Sequence, residues 1–206
     1  MEERWLVRLL RELFRGHVKN YLDFACGTGR IVSALEGFAD YSCGVDLSES
    51  MLEKARQKCL KAEFFHADIT QNDFQTKIVA FDLITSFRFF GNAQEELREK
   101  ALSSLRLLLK DDGYLIINNH RDPNVLRNRV ARILGGADRP SLPRQMLMDL
   151  LGRHGFGVVD EIGVGAWLVH HRLDRLGRRA AGHIPLKRFP WFDRYGSDTI
   201  IVAKKT

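Results

Sequence analysis

The chain has 206 residues, which is long enough for one complete hydrophobic core and favours a single domain spanning 1–206. No apolar run approaches the roughly 20 residues that cross a bilayer, and the start, Met-Glu-Glu-Arg-Trp, lacks the apolar stretch of a signal peptide. Three cysteines, at positions 26, 43 and 59, fit neither a disulfide framework nor a zinc knuckle. We therefore expect a cytoplasmic protein that does not bind a membrane.

The hydrophobic pattern predicts helices and strands that alternate along the chain. A first helix over Glu2–Arg15 carries its leucines and Trp5 on one stripe. Strands are predicted at 20–25, 41–46, 63–66, 80–86, 113–118, 156–162 and 198–204, and further helices near 29–37, 48–60, 93–109 and 141–154. This alternation predicts an α/β fold, a doubly wound and mostly parallel sheet with helices on both faces.

A glycine turn follows the first strand, in the segment Tyr-Leu-Asp-Phe-Ala-Cys-Gly-Thr-Gly at 21–29. Small residues at Ala25, Gly27 and Gly29 allow a tight turn and bring the backbone close to a ligand. The dinucleotide fingerprint G-x-G-x-x-G needs a third glycine, and Val32 occupies that position. The turn therefore points away from a pyrophosphate and towards another nucleotide-like cofactor.

The second predicted strand, Tyr41 to Asp46, also ends in an acid. This acid lies 17 residues after Gly29.

Together these segments resemble the class I S-adenosylmethionine (SAM)-dependent methyltransferases. The first turn has the spacing D-x-[GA]-x-G-x-G, and Asp46–Leu52 resembles the segment that follows the second strand in that family. Further matches in the same order are Phe64–Ile69, Phe81–Ser86, Leu107–Ile117 and the segment from His154-Gly-Phe156 to the closing strand at Asp198–Lys204. The resemblance implies a Rossmann-like, seven-stranded sheet whose last strand is antiparallel, with SAM as cofactor and S-adenosylhomocysteine (SAH) as product.

The resemblance also implies which residues bind the cofactor. Asp46 would bind the ribose, apolar side chains after it would lie against the adenine, and Asp68 would take the adenine amino group. The full set of cofactor-binding residues is Asp23, Ala25, Cys26, Gly27, Gly29, Asp46, Leu47, Met51, Ala67, Asp68, Ile69 and Ser86. Cys26 is interpreted as a small residue in a tight space rather than a reactive thiol. Ala25 replaces a common glycine, which is tolerated if its φ is negative.

Two catalytic candidates lie at the predicted carboxyl ends of strands four and five. His120 is suited to act as a general base by its position and its near-neutral intrinsic pKa, although it could merely bond a neighbouring loop. Arg88 could hold an acidic group of the substrate, or it could pair with an acid such as Glu95. The histidines at 170, 171 and 183 lack metal-ligand spacing, so no metal site is predicted.

The basic character of the chain is concentrated in two inserted stretches. The segment 121–144 after strand five has six arginines against two aspartates, a net of +4. The segment 163–197, between strands six and seven, has six arginines and one lysine against two aspartates, a net of +5, with interleaved aromatic residues. Its length suggests a cap over the acceptor side of the pocket, while a solvated surface or a contact in a homodimer is the alternative.

Missing motifs narrow the reaction. After strand four there is no Asn-Pro-Pro-Tyr segment, which related families use on exocyclic amines of bases, and no Pro-Cys nucleophile like that of the cytosine-C5 enzymes. Strand four ends in Thr85-Ser86 rather than in an acid, so the sequence does not predict the magnesium site of catechol-type methyltransferases either. We therefore expect methyl transfer to an O or N atom of a small, acidic or sugar-derived metabolite. An RNA methyltransferase, suggested by the pI of 9.4, and a catalytically silent SAM-binding partner subunit are the alternatives.

Overall fold

A computed structural model of the chain describes residues 2–71, 74, 80–120, 122, 142–164 and 198–206. Five α-helices and seven strands alternate in this part of the chain. The helices are α1 Glu2–Phe14, α2 Arg30–Leu35, α3 Glu49–Lys58, α4 Glu95–Leu108 and α5 Arg144–Arg153. The strands are β1 Val18–Phe24, β2 Ala39–Asp46, β3 Glu63–His66, β4 Phe81–Ser86, β5 Leu109–His120, β6 Phe156–Val164 and β7 Asp198–Lys205.

The strands form one seven-stranded sheet in the order β3-β2-β1-β4-β5-β7-β6. Strands β1 to β5 pair in parallel, while β7 lies antiparallel between β5 and β6. The predicted doubly wound sheet with an antiparallel last strand is therefore confirmed. The strand order reverses between β1 and β4, which places a ligand crevice at their carboxyl ends.

Helices cover both faces of the sheet. On one face α1 and α2 bury an apolar stripe against β1, β4 and β5, through residues that include Leu6, Leu10, Ile31, Leu83 and Ile116. On the other face α4 and α5 pack against the same strands, through residues that include Leu102, Leu105, Leu151, Ile84 and Leu115. The strands that carry the crevice are thus buried on both sides, which fixes the positions of their carboxyl ends.

Strand β5 begins at Leu109, directly after α4, whereas the sequence predicts a turn before a strand at 113–118. The pairing with β4 shifts register between Phe81, which faces Leu109, and Leu83, which faces Tyr114. The extra residues are absorbed by an irregularity in which Asp112 has a left-handed φ of 65°. The Lys-Asp-Asp-Gly segment therefore bends the strand and does not delay its start.

Most of the two basic insertions lies outside the described residues. Of 121–144 the structure describes Asp122 and 142–144, and of 163–197 it describes the last two residues of β6, Gly163 and Val164. The interpretation of 163–197 as a cap stays a prediction. In the described part of the chain, no helix combines the length and apolarity that crossing a membrane requires.

We predict that Gly155→Ala destabilises the junction between α5 and β6. Gly155 has a φ of 68°, and an added Cβ would lie 2.8 Å from Nη1 of Arg106, whose guanidinium donates to the Gly155 carbonyl at 2.7 Å. Left-handed strain and the displaced hydrogen bond together should lower the free energy of unfolding by about 2 kcal/mol, measured by urea denaturation.

Gly152→Ala is the matched control for this substitution. Gly152 lies inside α5, and an added Cβ there meets no atom within 4 Å. Alanine should therefore raise stability by about 0.5–1 kcal/mol through its helix propensity. Equal effects of the two substitutions would contradict the role given to Arg106.

Candidate functional site

The glycine turn is hydrogen-bonded to the end of β2. The Cys26 N–H donates to the Val45 carbonyl at 3.1 Å, which carries the β1–β2 ladder past the end of β1. One residue later, the Gly27 N–H donates to Oδ2 of Asp46 at 2.8 Å. The other carboxylate oxygen of Asp46 accepts the Ser48 N–H at 2.9 Å. Asp46 thus joins the loops after β1 and β2, and lone pairs remain on both of its oxygens for a ligand.

Close packing explains the small residues of the turn. A Cβ added to Gly29 would lie 2.9 Å from Cβ of Ala55. Because glycine has no Cβ, helix α3 can approach the turn at this point. On the far side, an added Cβ on Gly44 would lie 2.8 Å from Sγ of Cys26. Burial raises the pKa of the Cys26 thiol well above its usual range, which agrees with a space-filling role. At Gly27 an added Cβ meets no atom within 4 Å, so the backbone is open there.

Ala25 has a φ of 55°, so the condition of a negative φ, under which an alanine is tolerated without strain, is not met. The turn requires the left-handed conformation at this position, and an alanine there costs roughly 1–2 kcal/mol relative to an unstrained backbone. Surrounding hydrogen bonds of the turn hold the strained residue in place.

Asp23 lies in the buried carboxyl-terminal half of β1 and is only 2% exposed. The Thr85 hydroxyl donates to its Oδ1 at 2.6 Å, and Tyr21 Oη lies 2.8 Å from the same hydroxyl. Burial raises the pKa of Asp23 to about 7, against lowering effects from Thr85 and from the charge of Arg30. A cationic ligand group at this position would favour the ionised carboxylate, as the ammonium of an amino acid does.

A cavity of about 580 Å³ opens at the carboxyl ends of β1 and β4. Its size is that of a site for a small molecule or cofactor. The lining residues come from the glycine turn, α2, α3 and the loop between β4 and α4, and they are Asp23, Ala25, Cys26, Gly27, Thr28, Arg30, Ile31, Met51, Phe87, Arg88, Phe89, Asn92, Ala93 and Leu97. The predicted residues Asp23, Ala25, Cys26, Gly27, Met51 and Arg88 are thus brought together.

Arg88 is an exposed residue on the β4 side of this cavity. Its φ of 67° is left-handed, an unusual backbone for an arginine. Among the described residues no ion pair joins Arg88 to Glu95 or to another acid, and the charge of Glu95 acts instead on the guanidinium of Arg98. Of the two roles considered for Arg88, the contact with Glu95 is therefore not formed.

The residues predicted to lie along the adenine are only partly gathered at the cavity. Leu47 and Met51 are 64% and 41% exposed, so their apolar side chains are accessible to a ligand. The Asp68 carboxylate accepts hydrogen bonds from Thr70 and Gln71, and the bond from the Thr70 hydroxyl is the main cause of its lowered pKa. Ala67 packs against the α4 face of the core, and the Ile69 side chain is buried within it.

Ser86 and His120 are not among the described residues that line the cavity. Ser86 is fully buried, and its hydroxyl has no hydrogen-bond partner in the described part of the chain. His120 is 5% exposed at the end of β5, and an added Cβ on Gly91 would lie 3.3 Å from its Nδ1. His120 therefore packs against the loop between β4 and α4, beside the cavity.

The sequence did not predict eight of the fourteen lining residues, among them Arg30, nor the supporting residues Thr85 and Asn118. Arg30 lines the cavity directly after the glycine turn, so its position next to Gly29 was an available signal. Thr85 and Asn118 act through hydrogen bonds across strands, to Asp23 and to the Arg88 N–H respectively. Such contacts depend on strand register, which the sequence alone does not specify.

The predicted residues Gly29, Asp46 and Leu47 are not among those that line the cavity, but they belong to the glycine turn, to the end of β2 and to the adjoining loop. Together with the lining, these segments fit SAM. The open backbone at Gly27 leaves room for a close approach, the Asp46 carboxylate has acceptor capacity for a ribose, and the exposed Leu47 and Met51 offer an apolar surface for a base. In the described ranges no three His, Cys, Asp or Glu side chains converge as metal ligands would.

We predict that Asp23→Asn stabilises the protein at pH 8. The folded-state pKa of Asp23 is raised to about 7 from 3.8, so its ionisation opposes folding and stability falls as the pH rises from 4 to 7. Removing the ionisable group should raise the free energy of unfolding at pH 8 by an amount on the order of 2 kcal/mol and flatten this pH dependence.

Thr85→Val should change the stability at pH 8 in the opposite direction, again through the Asp23 carboxylate. Because the Thr85 hydroxyl stabilises the ionised form, its loss should raise the pKa of Asp23 further and lower stability at pH 8. Urea unfolding between pH 4 and pH 8 measures both variants. An unchanged pH slope in Asp23→Asn would refute the assignment.

Comparisons with known proteins agree with the resemblance seen in the sequence. A family model described as "Methyltransferase domain" matches residues 22–113. A protein of Geobacillus sp. (strain WCH70) named as a methyltransferase is 33% identical over 127 residues, 57% of this chain and 49% of that protein. Thiocyanate methyltransferase 1 of Arabidopsis thaliana is 36% identical over 95 residues, 44% of this chain and 41% of that protein. The chain thus spans about half the length of the curated relatives it matches.

The fold is also that of solved methyltransferases. Magnesium protoporphyrin IX methyltransferase (ChlM) from Synechocystis PCC 6803, whose crystal structure has bound SAH, is similar with a TM-score of 0.70 and 17% identity. The similarity covers 100% of this chain and 82% of that chain. Residues 22–113 thus match a methyltransferase domain, and the sheet order of the described residues is the fold of solved class I SAM-dependent methyltransferases.

Proposed function

We propose that the protein binds SAM at the carboxyl ends of β1 and β2 and transfers its methyl group to an O or N atom of a small anionic metabolite, which includes acidic sugar derivatives. The observation that carries this proposal is the position of Arg88. It lines the same cavity as the glycine turn, and none of the described acids forms an ion pair with it. A guanidinium in that position can hold a carboxylate or another oxyanion.

The charges at the cavity support an anionic acceptor. SAM supplies an activated methyl group on a sulfonium cation. Arg30 and Arg88 both line the cavity, but Arg30 has an acidic partner in Glu3 at 3.5 Å, so Arg88 contributes the excess positive charge of the lining. An anionic acceptor would offset this excess. The plant relatives named for thiocyanate, itself a small anion, agree with this reading.

His120 is proposed as the general base for acceptors that must lose a proton. It lies two residues after Asn118 in β5, and so on the same face of the strand, next to the loop that carries Arg88. For an acceptor that is already ionised at its nucleophilic atom, positioning alone would suffice and no base would be needed.

The RNA alternative depends on 163–197, most of which lies outside the described residues, and it stays a prediction. The catalytically silent alternative predicts SAM binding without turnover.

The first test concerns the cofactor. Asp46→Ala removes a charge-assisted acceptor for the ribose and should weaken SAM binding by about 1.5–3 kcal/mol in isothermal titration calorimetry. Asp40→Ala is the matched control, since Asp40 lies in β2 far from the carboxyl end and is exposed. Unchanged SAM affinity in Asp46→Ala, or a preference of the wild type for NAD, would reject the cofactor assignment.

The second test separates the roles of Arg88 and His120. Candidate acceptors are screened by measuring SAH release. They are tested in pairs in which the nucleophilic atom is ionised in one member and carries a proton in the other. Arg88→Ala should raise KM for anionic acceptors at least tenfold and leave SAM affinity unchanged, because it removes only a contact to the acceptor. His120→Asn should lower kcat by roughly 100-fold for protonated acceptors and leave ionised ones nearly unaffected. An equal loss of kcat on both acceptor types would show that His120 does not act as the general base.

A further inference from the structure

The loop Phe87–Ala93, between β4 and α4, carries Arg88 into the cavity on a fixed backbone. The Phe89 carbonyl accepts the N–H groups of Asn92 and Ala93, both at 2.9 Å. The Arg98 Nε–H donates to the Phe90 carbonyl at 2.7 Å, and the Phe90 side chain is fully buried. The base of the loop is therefore held by α4 and the core.

Two asparagine side chains hold the backbone of Arg88 itself. Oδ1 of Asn118 accepts the Arg88 N–H at 2.5 Å, and Nδ2 of Asn92 donates to the Arg88 carbonyl at 2.6 Å. Both polar groups of a residue in the left-handed region, with φ at 67°, are thus satisfied by side chains. Asn118 is 1% exposed, so its bond to Arg88 is shielded from competing water.

Strand register explains why Asn118 reaches this N–H. The last described pair between β4 and β5 joins Ser86 to Ile117. Asn118 is the next residue of β5, and its side chain bonds the loop just after β4 leaves the ladder. The amide of Asn118 therefore continues the connection between the two strands at the point where the backbone turns towards the cavity.

We propose that Asn118 is a positioning residue, which directs the Arg88 guanidinium into the cavity by holding its N–H and so sets the affinity for an anionic acceptor. Asn92 holds the carbonyl of the same residue and has the same effect to a smaller extent. This inference rests on the proposed function, because it takes Arg88 as the group that binds the anion. A strained backbone held at both polar groups fixes the direction of the Arg88 Cα–Cβ bond without a ligand. This limits the positions that the guanidinium can take and so favours preorganised binding.

The test is a double-mutant cycle on anion binding. Thiocyanate is the probe, titrated calorimetrically into the SAH-loaded full chain, so that no turnover is needed. Arg88→Ala should weaken thiocyanate at least tenfold, and Asn118→Ala about fivefold. Because Asn118 acts through the Arg88 side chain, Asn118→Ala should have no further effect in the Arg88→Ala background. Equal effects in both backgrounds, or no effect of Asn118→Ala, would overturn the inference.

Asn119→Ala is the matched control. Asn119 is also buried near the end of β5, and its Nδ2 donates to the Leu142 carbonyl at 2.9 Å without contacting Arg88. It should lower the melting temperature as Asn118→Ala does, yet leave the affinity for thiocyanate unchanged. If Asn118→Ala does not fold, Asn92→Ala at the exposed side of the loop replaces it, with a two- to threefold loss that also disappears in the Arg88→Ala background.

The outcomes separate this inference from the proposed function. If Arg88→Ala binds thiocyanate as the wild type does, or if the wild type does not bind it, the anion site itself is wrong and the inference falls with it. If the cycle gives the expected coupling but no acceptor is methylated, the positioning role stands and only the proposed function fails.

Discussion

The site depends on a single carboxylate, that of Asp46, which ties the loop after β1 to the loop after β2. Its two oxygens accept the N–H groups of Gly27 and Ser48, so the chain needs no ligand to form the turn. Backbone N–H groups in such turns are costly to leave unsatisfied, and this carboxylate satisfies two of them before any ligand binds. Because the turn is ordered before a ligand binds, binding does not include the conformational entropy cost of ordering it.

Side-chain bonds to loop backbone recur around the crevice. The Glu36 carboxylate accepts the N–H groups of Leu60, Lys61 and Ala62 and so holds the loop after α3. The Lys58 ammonium donates to the Thr28 carbonyl in the glycine turn at 2.8 Å. The Lys58 bond runs from α3 to Thr28, which lines the cavity, so this part of the crevice is held by the scaffold rather than by its own loop alone.

Much of the fold could be predicted from the sequence, because alternating strand and helix patterns determine a parallel sheet and a crevice at its carboxyl edge. The glycine turn and Asp46 were found in the same way, from residue types at fixed spacing. The early start of β5 could not be predicted, since the segment around Asp112 has the composition of a turn and only pairing with β4 extends the strand. The φ of Ala25 was also missed, because its conformation is imposed by neighbouring loops.

The placement of β7 has a consequence for the order in which the sheet assembles. Among the described strands, β6 has β7 as its only neighbour, and β7 follows β6 in the chain after the segment 165–197. During synthesis β6 therefore emerges with no strand to pair with, while β1 to β5 can already form a sheet whose last member exposes an unpaired edge. Burial of both edges waits for β7, so the late intermediate presents an aggregation-prone surface until that strand inserts between them.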